Sequence, residues 1–248
     1  MAGLLEYSEG STLLHRANPI SKVAFAVAVC IATFLANEYL TLVLLLALVL
    51  LAGVYAGVGK KAVSLLLAFS SLGALMFLVQ TVIVRAGTPV FLWVTDRGAD
   101  TGAHVALRLV TFALPLVLML TVTRLTDLTN AAVEVLHLPY RYAFTITTAL
   151  RFVPIFSHEM SRIVEAQTAR GVEFDSGNPL RKLGLMMPLA APLLITSVSK
   201  ADDTALAAEQ RGFYLRTRES SYKRYPMATR DYAIFSLCLV VIVLGAIF

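Results

Sequence analysis

The sequence predicts an all-α integral membrane protein, with about five transmembrane helices and a helical cytoplasmic domain. Three observations carry this. Hydrophobic residues make up 58% of the 248, charged residues only 15%, and the mean hydropathy is +0.75; soluble domains carry charge on about a quarter of their residues. Uncharged runs recur at lengths that match a bilayer, since about 20 helical residues cross its ~30 Å hydrocarbon layer. Charge is concentrated in one late region, where residues 124–230 hold 14 of the 21 lysines and arginines and 10 of the 16 acids.

Along the chain, the first 22 residues carry Glu6, Glu9, His15, Arg16 and Lys22 without an apolar core, so no cleavable signal peptide is expected. Val23–Leu35 is the first apolar run, extended by Asn18–Ser21 before it and Ala36 and Asn37 after it. Tyr39–Gly59 (21 residues) and Ala62–Val84 (23 residues) follow. Ala103–Thr123 is interrupted only by Arg108, and Tyr232–Phe248 gives a last run of 17. Cys30 and Cys238 both lie inside apolar segments, which argues against a disulfide framework or a thiolate metal site.

The basic residues set the topology. The stretch between the third and fourth runs, about Arg85–Gly102, balances Arg85 and Arg97 against Asp96 and Asp100, and the turn at Asn37–Glu38 has no basic residue. Arg16 and Lys22, Lys60 and Lys61, and the whole 124–230 region fall on alternate sides from these. Positive-inside reasoning therefore puts the N-terminus and that region in the cytoplasm. The expected domains are residues 1–125 with four membrane helices, 126–229 as the cytoplasmic domain, and 230–248 as the last membrane helix. Two further stretches, Leu183–Ser199 and Tyr142–Ser157, are apolar enough to compete. If both spanned, Arg151 would lie in mid-bilayer at about 2.5–3.5 kcal/mol. If only the first spanned, Arg211, Arg216, Arg218, Lys223 and Arg224 would face outward. The reading in which neither spans is favoured.

Residues 126–229 read as helical. Asp127 or Thr126 can cap a helix towards His137, and Pro139 separates it from the next. Arg141–Arg170 gives up to ~45 Å of helix with Pro154 inside it. Ser176–Pro179 reads as a turn, and a second long run extends from about Leu180 to Arg211. The two runs end alike: EAQTARGVEF over Glu165–Phe174 and LAAEQRGFYL over Leu206–Leu215, with Arg170–Gly171 and Arg211–Gly212 in the same frame 41 residues apart. One Arg-Gly is an ordinary helix stop. Two in one frame, in one compartment, read as a pair of cations held out at two helix ends.

The segment TDLTNAAVEVLHLPYRYAFTITTALRFVPIFSHEMSRIVEAQTARG and the second Arg-Gly, with LLHRANPISK over Leu13–Lys22, resemble the transmembrane T component of energy-coupling factor transporters. The resemblance is most specific over Thr126–Gly212. It implies a coupling domain whose two long helices end in X-Arg-X motifs, here Ala169-Arg170-Gly171 and Gln210-Arg211-Gly212. These dock on two ATP-binding cassette ATPase subunits, while a separate membrane S component captures a vitamin or a transition-metal ion. No cofactor is expected in this chain, because ATP and magnesium belong to the partner subunits, and no nucleic-acid partner is implied. The location implied is the plasma membrane of a bacterium or archaeon. Gln210, where alanine is frequent, is the one departure in the motifs.

The chemistry fits the role. A guanidinium is always charged, offers five fixed donors and tolerates an interface better than an ammonium. Ala24, Ala28, Ala32 and Ala36 recur every four residues, and Gly53 and Gly57 form a small-xxx-small pair; both patterns allow close helix packing, within the bundle or against the S component. Arg108 is expected to snorkel to the interface, and Arg216–Arg230 to fix topology rather than bind lipid. Gly53–Lys61 imitates a phosphate loop with misplaced glycines, and His158-Glu159 lacks the second histidine of a zinc helix, since Arg162 stands there. His15, His104, His137 and His158 show no ligand spacing. The alternative function, a self-sufficient secondary transporter or channel, requires ionisable residues at mid-bilayer along a path. The five runs offer none.

Overall fold

A computed structural model describes residues 10, 12–84, 88–91, 94–174, 179–217 and 223–247. The chain divides into two compact units, 1–136 with 225–248, and 137–224. In the first unit a short α1 (Leu13–Arg16) leads to α2 (Pro19–Leu35), α3 (Tyr39–Tyr55) and α4 (Gly59–Ile83). A two-stranded antiparallel ladder, β1 (Pro89–Phe91) and β2 (Val94–Thr95), precedes α5 (Asp96–Val122), α6 (Leu125–Val135) and, after the second unit, α10 (Thr229–Ile247).

The start of α2 is set by Asn18, whose Oδ1 accepts from the Ile20 amide at 3.0 Å, with Pro19 at the first helical position. α5 packs along α4, α2 and α3, and α10 lies on α2. Their shared core includes Val29, Ala32, Leu45, Val49, Leu114, Leu118 and Val241. In a bilayer the lipid is as apolar as these side chains, so close backbone approach must hold the helices together. The α2–α10 crossing shows this. A methyl at Gly245 would lie 2.6 Å from the Ala32 carbonyl oxygen and 2.9 Å from its Cβ.

α5 begins at Asp96 instead of Ala103. Thr95 Oγ1 accepts from the Gly98 amide at 3.2 Å, and Asp96 sits favourably in the first turn. Reading spans by their lack of charge cut this capped end off. The predicted cap of α6 is also displaced: Arg124 holds the N-cap position with no side-chain capping bond, and Asp127 stands inside the first turn with another role. By length and composition Gly59–Ile83, Asp96–Val122, Leu183–Gln210 and Thr229–Ile247 can each cross a membrane, and Pro19–Leu35 and Tyr39–Tyr55 are shorter apolar helices. Five of these six ranges overlap the five expected spans and share one unit, while Leu183–Gln210, which contains the competing stretch Leu183–Ser199, lies in the other.

The second unit comprises α7 (Tyr140–Ala169), α8 (Pro179–Met186), a 3₁₀ turn (Met187–Leu189), α9 (Ala190–Gln210) and a 3₁₀ turn (Phe213–Leu215). Pro139 caps α7 and Pro154 lies within it. The expected unbroken run from Leu180 is divided at Met187–Leu189, where Pro188 has no amide to donate and crowds the preceding turn. The predicted turn at Ser176–Pro179 falls outside the described residues apart from Pro179, which opens α8.

α7 and α9 run antiparallel. Lys200 Nζ meets Glu159 Oε1 at 3.2 Å midway along the pair, while Phe213, beyond the end of α9, packs on Tyr140 and Phe144 at the start of α7.

Candidate functional site

Both Arg-Gly pairs end their helices. Arg170 is the C-cap of α7, and Gly171 takes φ +89°. The Gly171 amide donates to the Thr168 carbonyl at 2.9 Å and the Val172 amide to the Gln167 carbonyl at 3.1 Å, the paired bonds of a Schellman ending. Arg211 is the C-cap of α9, and Gly212 takes φ +69° with its amide donating to Glu209 at 2.9 Å. The left-handed turn reverses the backbone at once, so each arginine is the last side chain its helix projects. Ala169, Arg170, Gly171, Gln210 and Arg211 are exposed and Gly212 half-buried, and among the described residues neither arginine makes an ion pair.

Because the helices are antiparallel, the two tips lie at opposite ends of the pair. Arg211 borders a cleft of about 730 Å³ with Phe144, Arg151, Asp203, Phe213 and Arg216. Arg170 stands 19 residues beyond Arg151 on α7, about 28 Å of helix. Their surroundings also differ. Past Arg211 the chain folds back, and the Arg216 guanidinium lies 4.0 Å from the centre of the Tyr140 ring and donates to its hydroxyl. One tip lies against an aromatic cluster, while at the other a methyl on Gly171 would meet nothing within 4 Å among the described residues.

The small residues singled out for packing lie in the first unit. Ala28 and Ala32 are buried on α2, and Ala24 is half-buried. Gly53 is buried, where a methyl would meet Ala62 Cβ at 3.1 Å. Gly57 is exposed at φ +76° and turns the chain between α3 and α4. Arg108 is half-buried; it donates to the Ala36 carbonyl at 2.7 Å, closing the end of α2, and lies 3.3 Å from His104 Nε2.

A family model described as "Cobalt transport protein" matches residues 10–222. A protein of Brevibacillus brevis named energy-coupling factor transporter transmembrane protein EcfT is 30% identical, over 96% of this chain and 95% of its own. One of the same name from Listeria innocua is 32% identical, over 84% and 83%. The chain belongs to this family. It is a multi-pass transmembrane component of an energy-coupling factor transporter.

Sequence reading missed a second constellation in this T component, a polar collar where the membrane helices begin. Asp231, only 2% exposed, accepts from the Asn18 amide (2.8 Å), the Ser21 hydroxyl (2.7 Å) and the Ala228 amide (2.9 Å). Asn18 Nδ2 donates to the Tyr225 carbonyl at 2.9 Å. Tyr225 in turn donates its amide to Glu134 Oε2 at 2.6 Å and its hydroxyl to Asp127 Oδ1 at 2.8 Å. Buried Lys22 donates to the His15 and Val122 carbonyls at 3.1 and 3.4 Å, the latter an orphan acceptor at the end of α5. The available signal was a lone acid bordering the last apolar run, facing Asn18, Ser21 and Lys22 at the edge of the first.

Proposed function

We propose that this chain is the T subunit of an ATP-binding-cassette importer of the energy-coupling factor type. It passes the ATP-driven motion of two ATPase subunits to a separate membrane S component that captures a vitamin or transition-metal ion. The nucleotide and its magnesium bind in the ATPases. The N-terminus and the α7–α9 unit face the cytoplasm, as the placement of basic residues favours.

The observation that supports this best is the pair of exposed arginines at opposite ends of one antiparallel helix pair. Two ATPases that approach and separate need two grips, one each, and a single adjacent pair of cations could not serve both. At a helix C-terminus the guanidinium is also favoured by the negative end of the dipole, by about 0.3–1 kcal/mol. Seated among carboxylates or carbonyls, each is the kind of buried charged partner whose loss costs ~2–5 kcal/mol.

The test is co-purification of the ATPases with membrane-inserted protein. Arg170→Glu together with Arg211→Glu is expected to lower recovery by roughly tenfold or more, each single reversal giving part of the loss. Undiminished recovery with the double variant would rule the grips out.

A further inference from the structure

The chain leaves the membrane bundle once, at His137, and returns once, after Arg224. The collar sits at that crossing. Glu134 lies three residues before the exit, and Tyr225 is the first residue after the return. Asp127 and Glu134 are seven residues apart, two turns of α6, and so share a face. From that face they hold Tyr225 by its hydroxyl at 2.8 Å and by its amide at 2.6 Å. The Tyr225 carbonyl is held by Asn18, whose own amide donates to Asp231. Every hydrogen-bonding group of Tyr225 is thus tied to α6 or to the start of α2, and Asp231 ties that start to α10. At the exit, His137 takes the left-handed φ of +57°, which few side chains adopt.

We infer that Tyr225, Glu134, Asp127, Asn18 and Asp231 form a mechanical joint that turns movement of the α7–α9 unit into movement of α2 and α10. These are positioning residues. None of them belongs to either tip, and the joint passes on whatever motion the tips receive. The inference rests on the coupling role proposed above.

The test uses the complete complex with its ATPases in lipid, comparing backbone hydrogen exchange with and without ATP and magnesium. In the unaltered complex the nucleotide is expected to change exchange in Pro19–Leu35 and Thr229–Ile247. Glu134→Ala combined with Tyr225→Phe should retain the ATPases and their hydrolysis, yet lose most of that change. Glu134→Gln, which keeps an acceptor for the Tyr225 amide, should preserve it. Where the double variant fails to insert, Tyr225→Phe alone removes a single oxygen and must still diminish the response. An undiminished response in the variants, or none in the unaltered complex, overturns the joint. Loss of the ATPases from the Tyr225→Phe complex also overturns it, because the joint would then be acting on the tips. Failure of the grips themselves would be seen separately, as ATPases retained after Arg170→Glu with Arg211→Glu.

Discussion

The membrane bundle and the long-helix unit are built by opposite rules. In the bundle, small residues bring helices into backbone contact, as Ala32 meets Gly245, and Asp231, Asn18 and Ser21, buried at its edge, are hydrogen-bonded to one another. In the long-helix unit, Ala143 and Leu189 are the buried residues among those described, while Tyr142, Ile146, Val153, Leu194, Ile195 and Val198 lie exposed. A helix pair with so little interior of its own fits the proposed role of an element gripped by partner subunits. The exposure of Tyr214 and Leu215, at 77% and 85%, at the Arg211 tip continues the pattern.

The strongest challenge to this contrast is Asp231→Leu. It removes a buried acceptor and leaves the Asn18 amide, the Ser21 hydroxyl and the Ala228 amide without it. Breaking a buried charged network from one side costs about 3–5 kcal/mol. Thermal unfolding in detergent should show a large loss, and Asp231→Asn, which keeps an acceptor, should recover part of it. A small loss for both would mean that the bundle does not depend on its collar.

A smaller effect is expected from Gly245→Leu. The side chain has no room against Ala32, so α10 must move off α2 at about 1–3 kcal/mol. The same added bulk at exposed Ala205 of α9 should change stability by less than about 0.5 kcal/mol. Comparable losses at the two sites in the same unfolding assay would erase the difference between the units.

Much of this architecture was legible because membrane helices announce themselves by run length. The two Arg-Gly stops were legible as well, since left-handed φ at Gly171 and Gly212 is what glycine uniquely permits after a helix. What escaped was long-range pairing. The start of α5 was hidden because its cap is made of charged and polar residues that a search for uncharged runs discards. The collar was hidden because Asn18 and Asp231 are 213 positions apart, and neither belongs to a motif by itself. The antiparallel placement of the tips was equally invisible, because equal sequence frames say nothing about direction in space. It takes the Glu159–Lys200 pairing and the Phe213 contacts to fix it.

That pairing supplies the smallest expected effect and the finest probe of the contrast. Lys200 Nζ and Glu159 Oε1 are 3.2 Å apart, but the side chains retain 33% and 21% exposure, and Arg162 lies 3.9 Å from the same oxygen. Solvent screens such a pair, and the two side chains lose rotamer freedom to make it, so its usual worth is ~0–1 kcal/mol. Arg162 can also take up part of the carboxylate's charge when the lysine is gone. Lys200→Met should therefore shift unfolding by no more than about 1 kcal/mol, and the shift should shrink further in high salt. If it instead approached the cost of Asp231→Leu, α7 and α9 would have to be a self-supporting unit. The grip of partners would then no longer be needed to explain how so exposed a helix pair holds its angle.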